Sequence, residues 1–137
     1  MIGSLTNDDP RGLAREGMAH FLGDVSDGRI AVAGHFDADG LSAVAILVRA
    51  LEASGREAVP AIVGKGETPW EPAFADRLRA LDPAGLIVAD LGTRGEPVLA
   101  GVPTLTIDHH RPTGTPPDGV TLSGHGLDPE PTSALID

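Results

Sequence analysis

The chain predicts an α/β fold, a parallel sheet of about four to five strands with crossover helices on both faces. Three observations predict it. Short apolar runs rich in Val and Ile alternate along the chain with longer segments of helical period. The order strand, helix, strand, helix, strand requires parallel strands joined by crossovers. The apolar runs are nearly continuous rather than alternating, as strands covered on both faces are.

Each element has its own signal. Asp8-Asp9-Pro10 reads as a helix start, with Asp9 as the N-cap and Pro10 in the first helical position. Ala14, Met18, Phe21, Leu22 and Val25 continue at helical spacing, interrupted by Gly12 and Gly17. Ser26-Asp27-Gly28 is a turn, and Arg29 to Gly34 forms the first strand. Gly40 to Ser54 is apolar on nearly every side and too long for a strand, so it reads as a buried helix closed by Gly55. Glu57 to Val63 is the second strand, and Gly64 to Pro69 is a loop. Pro72 opens a helix with Phe74, Leu78 and Leu81 on one face, stopped near Pro83. Gly85 to Asp90 is the third strand, Glu96 to Gly101 a short helix, and Pro103 to Ile107 the fourth strand. Arg111 to Gly119 holds three prolines and two glycines and must be a loop. Val120 to Ser123 is a fifth, short strand, and Thr132 to Asp137 reads as the first turn of a helix. There is no internal repeat.

Composition narrows the function classes. At 137 residues, 41% of them apolar, the chain builds one domain with a single core. Aromatics are 3%, so that core is made from Ala, Val, Leu and Ile. The absence of cysteine excludes disulfides and thiolate metal sites. No run is long and apolar enough to span a bilayer, and the polar, acidic stretch from Met1 to Asp9 lacks a signal peptide's pattern. A cytoplasmic protein with no membrane partner is expected. The net charge of −10 argues against a broad nucleic-acid surface, and Lys65 is the only lysine. Bound cations can still recruit a phosphorylated substrate locally.

The chemistry-bearing residues sit where strands end, which is where open parallel sheets bind ligands. His35, Asp37 and Asp39 follow the first strand with spacing of two, so an extended chain would turn all three to one side. Asp39 is also a good N-cap for the helix beginning at Gly40, where exposed amides favour phosphate. Asp90 ends a strand of pure hydrocarbon and can bridge two cations. Asp108-His109-His110 follows Leu105-Thr106-Ile107, three metal-competent residues that a core does not explain. Their directions must differ. His109 is read as a ligand, Asp108 as a support that hydrogen-bonds an imidazole or a loop amide, and His110 as a contact to substrate phosphate. Arg111 is a phosphate candidate because its planar fork suits phosphoryl oxygens, and Arg94 is a second. Lys65, in a Gly-Lys-Gly loop without P-loop spacing, reads as a loop lysine. His20 and His125 read as solvated residues and Trp70 as packing. An Asp and His donor set without Cys suits Mn²⁺, with Mg²⁺ as the alternative. Two ions about 3.5–4 Å apart would activate water and clamp phosphoryl oxygens.

In order, His35-Phe36-Asp37-Ala38-Asp39-Gly40, Asp90 in Val88-Ala89-Asp90-Leu91-Gly92, and Asp108-His109-His110 resemble three N-terminal motifs of the DHH phosphoesterase superfamily. That superfamily includes RecJ-type exonucleases, oligoribonucleases, phosphoadenosine-phosphate phosphatases and family II pyrophosphatases. The match spans roughly residues 29 to 112. The resemblance implies that Asp37 and Asp90, with His35 beside them, serve one Mn²⁺, and that Asp39, Asp90 and His109 serve the other. His35 precedes Asp37 by two residues, closer to the RecJ-like pattern than to the pyrophosphatases, whose histidine lies four before. The implied substrate is a nucleotide or a short single-stranded nucleic acid.

The family adds a fourth-motif Asp after a further helix, and a C-terminal substrate-binding domain. Pro131 to Ile136 resembles the start of that helix, and Asp137 falls too early to be the ligand. The resemblance therefore implies that residues 1–137 are an incomplete N-terminal DHH domain with an incomplete second metal site. Two other readings stand beside it. Phe36-Asp37-Ala38-Asp39-Gly40 also resembles the nucleophile loop of haloacid-dehalogenase-like phosphatases, with Asp37 as nucleophile, although Ser42 and Lys65 fit that family poorly. Alternatively, the domain is a non-catalytic metal-binding or regulatory module.

Overall fold

The computed structural model describes residues 2–4, 10–114 and 119–124. Asp9, His125 and the segment from Thr132 to Asp137 lie outside the described residues. The elements run β1 (Ile2–Ser4), α1 (Pro10–Asp24), β2 (Ile30–His35), α2 (Ala38–Ala53), β3 (Ala58–Val63), α3 (Pro72–Ala80), β4 (Gly85–Ala89), β5 (Thr104–Asp108) and β6 (Val120–Ser123). All six strands form one sheet in the order β1-β6-β5-β4-β2-β3, and every pairing is parallel. The fold is the expected α/β class, with one strand more than the pattern predicts. Ile2–Ser4 joins the far edge beside β6.

The central strands are buried on both faces because helices cover both. On one face α1 and α2 press Phe21, Ala43, Val44, Leu47 and Leu51 against Ile30, Val32, Ile87, Leu105 and Ile107. On the other, α3 sets Phe74 and Leu78 against Ala31, Ala33, Leu86 and Val88. Small strand residues on this second face let the helix approach closely. No helix among the described residues is long and apolar enough to cross a membrane.

The expected helix from Glu96 to Gly101 is absent; bends and a turn occupy that stretch. Pro97 donates no amide hydrogen bond, and Gly101 takes a positive φ of 81°. Leu99 is nonetheless buried in the second core with Val98 and Val102 beside it. The apolar residues of this stretch belong to an irregular connection folded onto the sheet.

Helix α2 also begins two residues earlier than Gly40. Its N-cap is Asp37, whose Oδ1 accepts from the Gly40 amide at 2.8 Å. Asp39 is therefore not the cap but part of the first turn. Phe36 precedes the cap and Leu41 is the fourth helical residue, the two positions of a hydrophobic staple. Two glycines let α2 lie against the end of β2. A Cβ on Gly34 would overlap a Val44 methyl, and one on Gly40 would overlap the His35 carbonyl oxygen.

Candidate metal centre

The strand order reverses at β2. From β2 the chain goes outward through α2 to β3, then returns through α3 to β4 on the other side of β2. Such a switch point opens a crevice beyond the carboxyl ends of the flanking strands. Register fills it with the motif residues. Gly34 pairs with Ala89, so His35 and Asp90 leave adjacent strand ends. Ala89 pairs with Ile107, and the Asp90 amide donates to the Ile107 carbonyl at 3.0 Å, bringing Asp108 and the two histidines alongside.

Asp90 is the centre of the arrangement. It is 4% exposed and has left the strand with a φ of 60°. That left-handed turn is uncommon outside glycine, although Asp and Asn tolerate it best. It aims the carboxylate across the strand ends. Asp90 Oδ1 lies 3.0 Å from His109 Nε2 and 3.9 Å from His110 Nδ1. Asp39 Oδ2 reaches the same His109 Nε2 at 3.8 Å. His35 Nδ1 lies 2.9 Å from Asp37 Oδ2. Two triads result, His35–Asp37–Asp90 and Asp90–His109–His110, each with ligand-type atoms within 4.8 Å of one another. Asp90 belongs to both.

His35 and Asp37 turn to one side, as an extended run places residues two apart, and the extended run ends there. The chain turns helical at Ala38, so Asp39 enters the site from the first turn of α2 rather than from an extended run. Asp108 is 1% exposed and does not face the ligand cluster with a free carboxylate. Its Oδ1 lies 2.7 Å from His110 Nδ1, and its Oδ2 accepts from the His110 amide at 3.1 Å. It thus holds both the ring and the backbone of His110.

Proton affinities follow from these contacts. Asp37 is held below the ordinary aspartate range, chiefly by the Gly40 amide and further by His35. Asp90 is pushed up, first by burial and then by the neighbouring charges of Asp39 and Asp37. For His110, burial acts to lower the value. The Asp108 hydrogen bond and charge, with Asp90 and Asp37 behind them, outweigh it and raise the imidazole overall. Three carboxylates drawn together in this way suit a divalent cation. Donors on one ion at about 2.2 Å lie roughly 3–4.4 Å apart, and each triad brings its ligand-type atoms within 4.8 Å, close to that range.

The cleft beyond Asp90 measures about 340 Å³ and is lined by His35, Asp37, Glu67, Trp70, Arg94 and His110, among others. Arg111 is exposed and is not among the lining residues. Glu67 and Trp70 carry no functional signal in the sequence. Glu67 accepts from the Gly64 amide at 2.8 Å and from Arg77 Nη1 at 2.9 Å, bracing the β3–α3 loop. Trp70 Nε1 donates to the Glu96 carbonyl at 3.0 Å, joining that loop to the one after β4. Lys65 is exposed on the same loop.

Comparison with known proteins agrees with this fold. The family description "DHH family, N-terminal domain" matches residues 29–129. The single-stranded-DNA-specific exonuclease RecJ of Thermus thermophilus is 35% identical over 100 residues, which are 69% of this chain and 15% of that protein. A crystal structure of exonuclease RecJ bound to manganese superposes with a TM-score of 0.68 at 29% identity, covering 90% of this chain and 35% of that one. The crystal structure of Thermus thermophilus RecJ in complex with Mn²⁺ gives 0.66 at 29% identity, covering 90% of this chain and 19% of that one. This chain spans well under half the length of each.

Proposed function

The chain belongs to the DHH family, N-terminal domain, and from that membership we propose that it carries the metal centre of a RecJ-like hydrolase. The reaction is cleavage of a phosphoester in a nucleotide or a short single-stranded nucleic acid. The observation that carries the reading is the sharing of Asp90 between two triads at one sheet switch point. His35, Asp37 and Asp90 would hold one divalent cation; Asp90 and His109, with Asp39 3.8 Å from His109, would hold the other. Manganese fits the mixed imidazole and carboxylate donors, and RecJ relatives have been crystallised with it. Two such ions would supply an activated water and charge neutralisation at the phosphoryl oxygens.

The residues of the chain divide the remaining work. Asp108 fixes His110 through Nδ1, which leaves Nε2 as the nitrogen turned away from that hydrogen bond. With its proton held more tightly than usual, His110 donates to a phosphoryl or leaving oxygen near neutral pH. Asp37 fixes the start of α2 while its second oxygen faces His35, and so joins helix position to ligand position. Those two engagements count against Asp37 as a free nucleophile, the role a dehalogenase-like phosphatase would require.

The test is Mn²⁺ binding by calorimetry together with hydrolysis of a short single-stranded oligonucleotide in Mn²⁺ and in chelator. Two Mn²⁺ per chain with chelator-sensitive cleavage is the outcome that supports the reading. One ion or none, with no cleavage, supports the metal-binding or regulatory module instead.

A further inference from the structure

We propose that Arg94 is the residue by which this cleft recognises a phosphoryl group other than the one being hydrolysed. The proposal rests on the phosphoester reading above and states which substrate end that site prefers.

Arg94 lines the same cleft as His35, Asp37, Asp90 and His110. Its guanidinium carbon lies 4.2 Å from the centroid of the Trp70 ring. Trp70 is itself fixed by its bond to the Glu96 carbonyl and follows a buried proline, Pro69. The cation–π contact with a fixed ring holds the guanidinium at the cleft wall and consumes none of its five N–H donors. Among the described residues no carboxylate lies within ion-pair distance of Arg94.

The carboxylates nearby are committed elsewhere. Asp37 faces the Gly40 amide and His35. Glu67 spends one oxygen on the Gly64 amide and the other on Arg77. Asp90 faces His109. The histidines of the cleft are likewise matched to acids, His35 to Asp37 and His110 to Asp108. Arg94 is therefore the cation of the described cleft that no side-chain acid answers. A guanidinium fork matches phosphoryl oxygens in pairs. The cleft's volume of about 340 Å³ lies in the range of small-ligand sites and extends past the triads to Trp70 and Arg94. A substrate whose scissile phosphoryl group lies at Asp90 would carry its next phosphoryl group toward Arg94.

Trp70 is the only tryptophan in the chain, so its emission reports this wall alone. Two dinucleotides with a hydrolysis-resistant phosphorothioate linkage are titrated in Mg²⁺ buffer, one ending in a hydroxyl and the other in a terminal phosphate. The wild-type chain binds the phosphate-terminated form about tenfold or more tightly, as a charge-assisted hydrogen bond implies. Arg94→Gln reduces that contrast to about twofold or less, and Arg94→Lys, which keeps charge without the fork, falls between. Arg94 is exposed, so both variants should fold, with a melting temperature within a few degrees of the wild type. A contrast that survives in Arg94→Gln, or is absent in the wild type, overturns the proposal. Hydrolysis of the unmodified dinucleotides in Mn²⁺ is read separately. Binding contrast without hydrolysis refutes the phosphoesterase reading and keeps Arg94; hydrolysis without contrast does the reverse.

Discussion

Asp90→Asn separates charge from shape at the centre of the site. The substitution keeps volume, and Asn tolerates the φ of 60° at this position as well as Asp does. Asp90→Ala would instead add backbone strain to the loss of charge. In the Asn variant the amide oxygen can still accept from the His109 ring, 3.0 Å away, so that contact survives. What disappears is one negative charge within 4.8 Å of the Asp37 carboxylate. Two unit charges at that separation repel by about 3.5 kcal/mol at an effective dielectric near 20. The Asp37 side chain is 50% exposed, and water screens the figure to about 1–2 kcal/mol. Without metal, the variant should therefore be more stable than the wild type by that amount, raising its melting temperature by roughly 3–6 °C. With Mn²⁺ the order should invert. A ligand at one hundred times its Kd stabilises the wild type by about 2.7 kcal/mol, and the variant has lost the donor both triads share. Melting curves of both chains in chelator and in Mn²⁺ decide it. A variant that melts below the wild type in chelator, or gains as much from Mn²⁺, refutes the shared-carboxylate geometry. pH supplies a second reading. Asp90 holds its proton to higher pH in the fold than in the unfolded chain, so it binds more protons when native. Its contribution to metal-free stability therefore falls as pH rises from the ordinary aspartate value of 3.8 through its raised value. The variant lacks that slope, and the stability gap between the two chains widens across this window and holds above it.

Two other predictions test the supports of the site. Asp108→Asn removes the charge that raises His110, so the imidazole should lose its proton at lower pH than in the wild type, measured by NMR titration of its ring signals. The stabilisation this pair provides is present below the ordinary histidine value of 6.5 and is lost as pH rises through the raised one; an unchanged His110 titration would show that Asp108 does not govern it. Gly40→Ala drives a methyl group into the His35 carbonyl oxygen at the junction of β2 and α2. It should cost about 1–3 kcal/mol in urea denaturation and weaken Mn²⁺ binding through Asp37. Gly23→Ala, near the end of α1 with nothing within 4 Å of the added carbon, is the control and should stabilise by roughly 0.5–1 kcal/mol. Equal effects at the two positions would contradict the close approach of α2 to β2.

The candidate ligands are legible in the sequence because most of them stand at or near strand ends. His35, Asp90 and Asp108 stand at the ends of apolar strands, and parallel pairing sets those ends side by side; Asp39 joins them from the first turn of α2. The ordered motifs likewise identified the family. The structure departs from the sequence pattern where one local pattern is compatible with two arrangements. Asp39 has the residue type of a cap, but the Gly40 amide bonds Asp37 instead. Phe36 and Leu41 hold the staple positions only if Asp37 is the cap. Val98, Leu99 and Val102 have helix-compatible spacing, but Pro97 and the left-handed Gly101 favour an irregular path. Ile2–Ser4 was invisible because three residues carry no period, and its partner strand lies more than one hundred residues away at Thr121–Ser123.

The cleft wall shows the same limit more sharply. Glu67 meets Arg77 and Gly64, and Trp70 meets Arg94 and Glu96, across loops with no shared pattern. A sequence read locally can thus expose the groups that would hold a cation, since a strand places them. It cannot show which arginine is left without an acid, since that depends on where every other charge has found its partner. The sequence favours Arg111 as the phosphate contact, directly after the histidines, with Arg94 second. Tertiary packing separates them, setting Arg94 on Trp70 at the cleft wall and leaving Arg111 outside the lining residues.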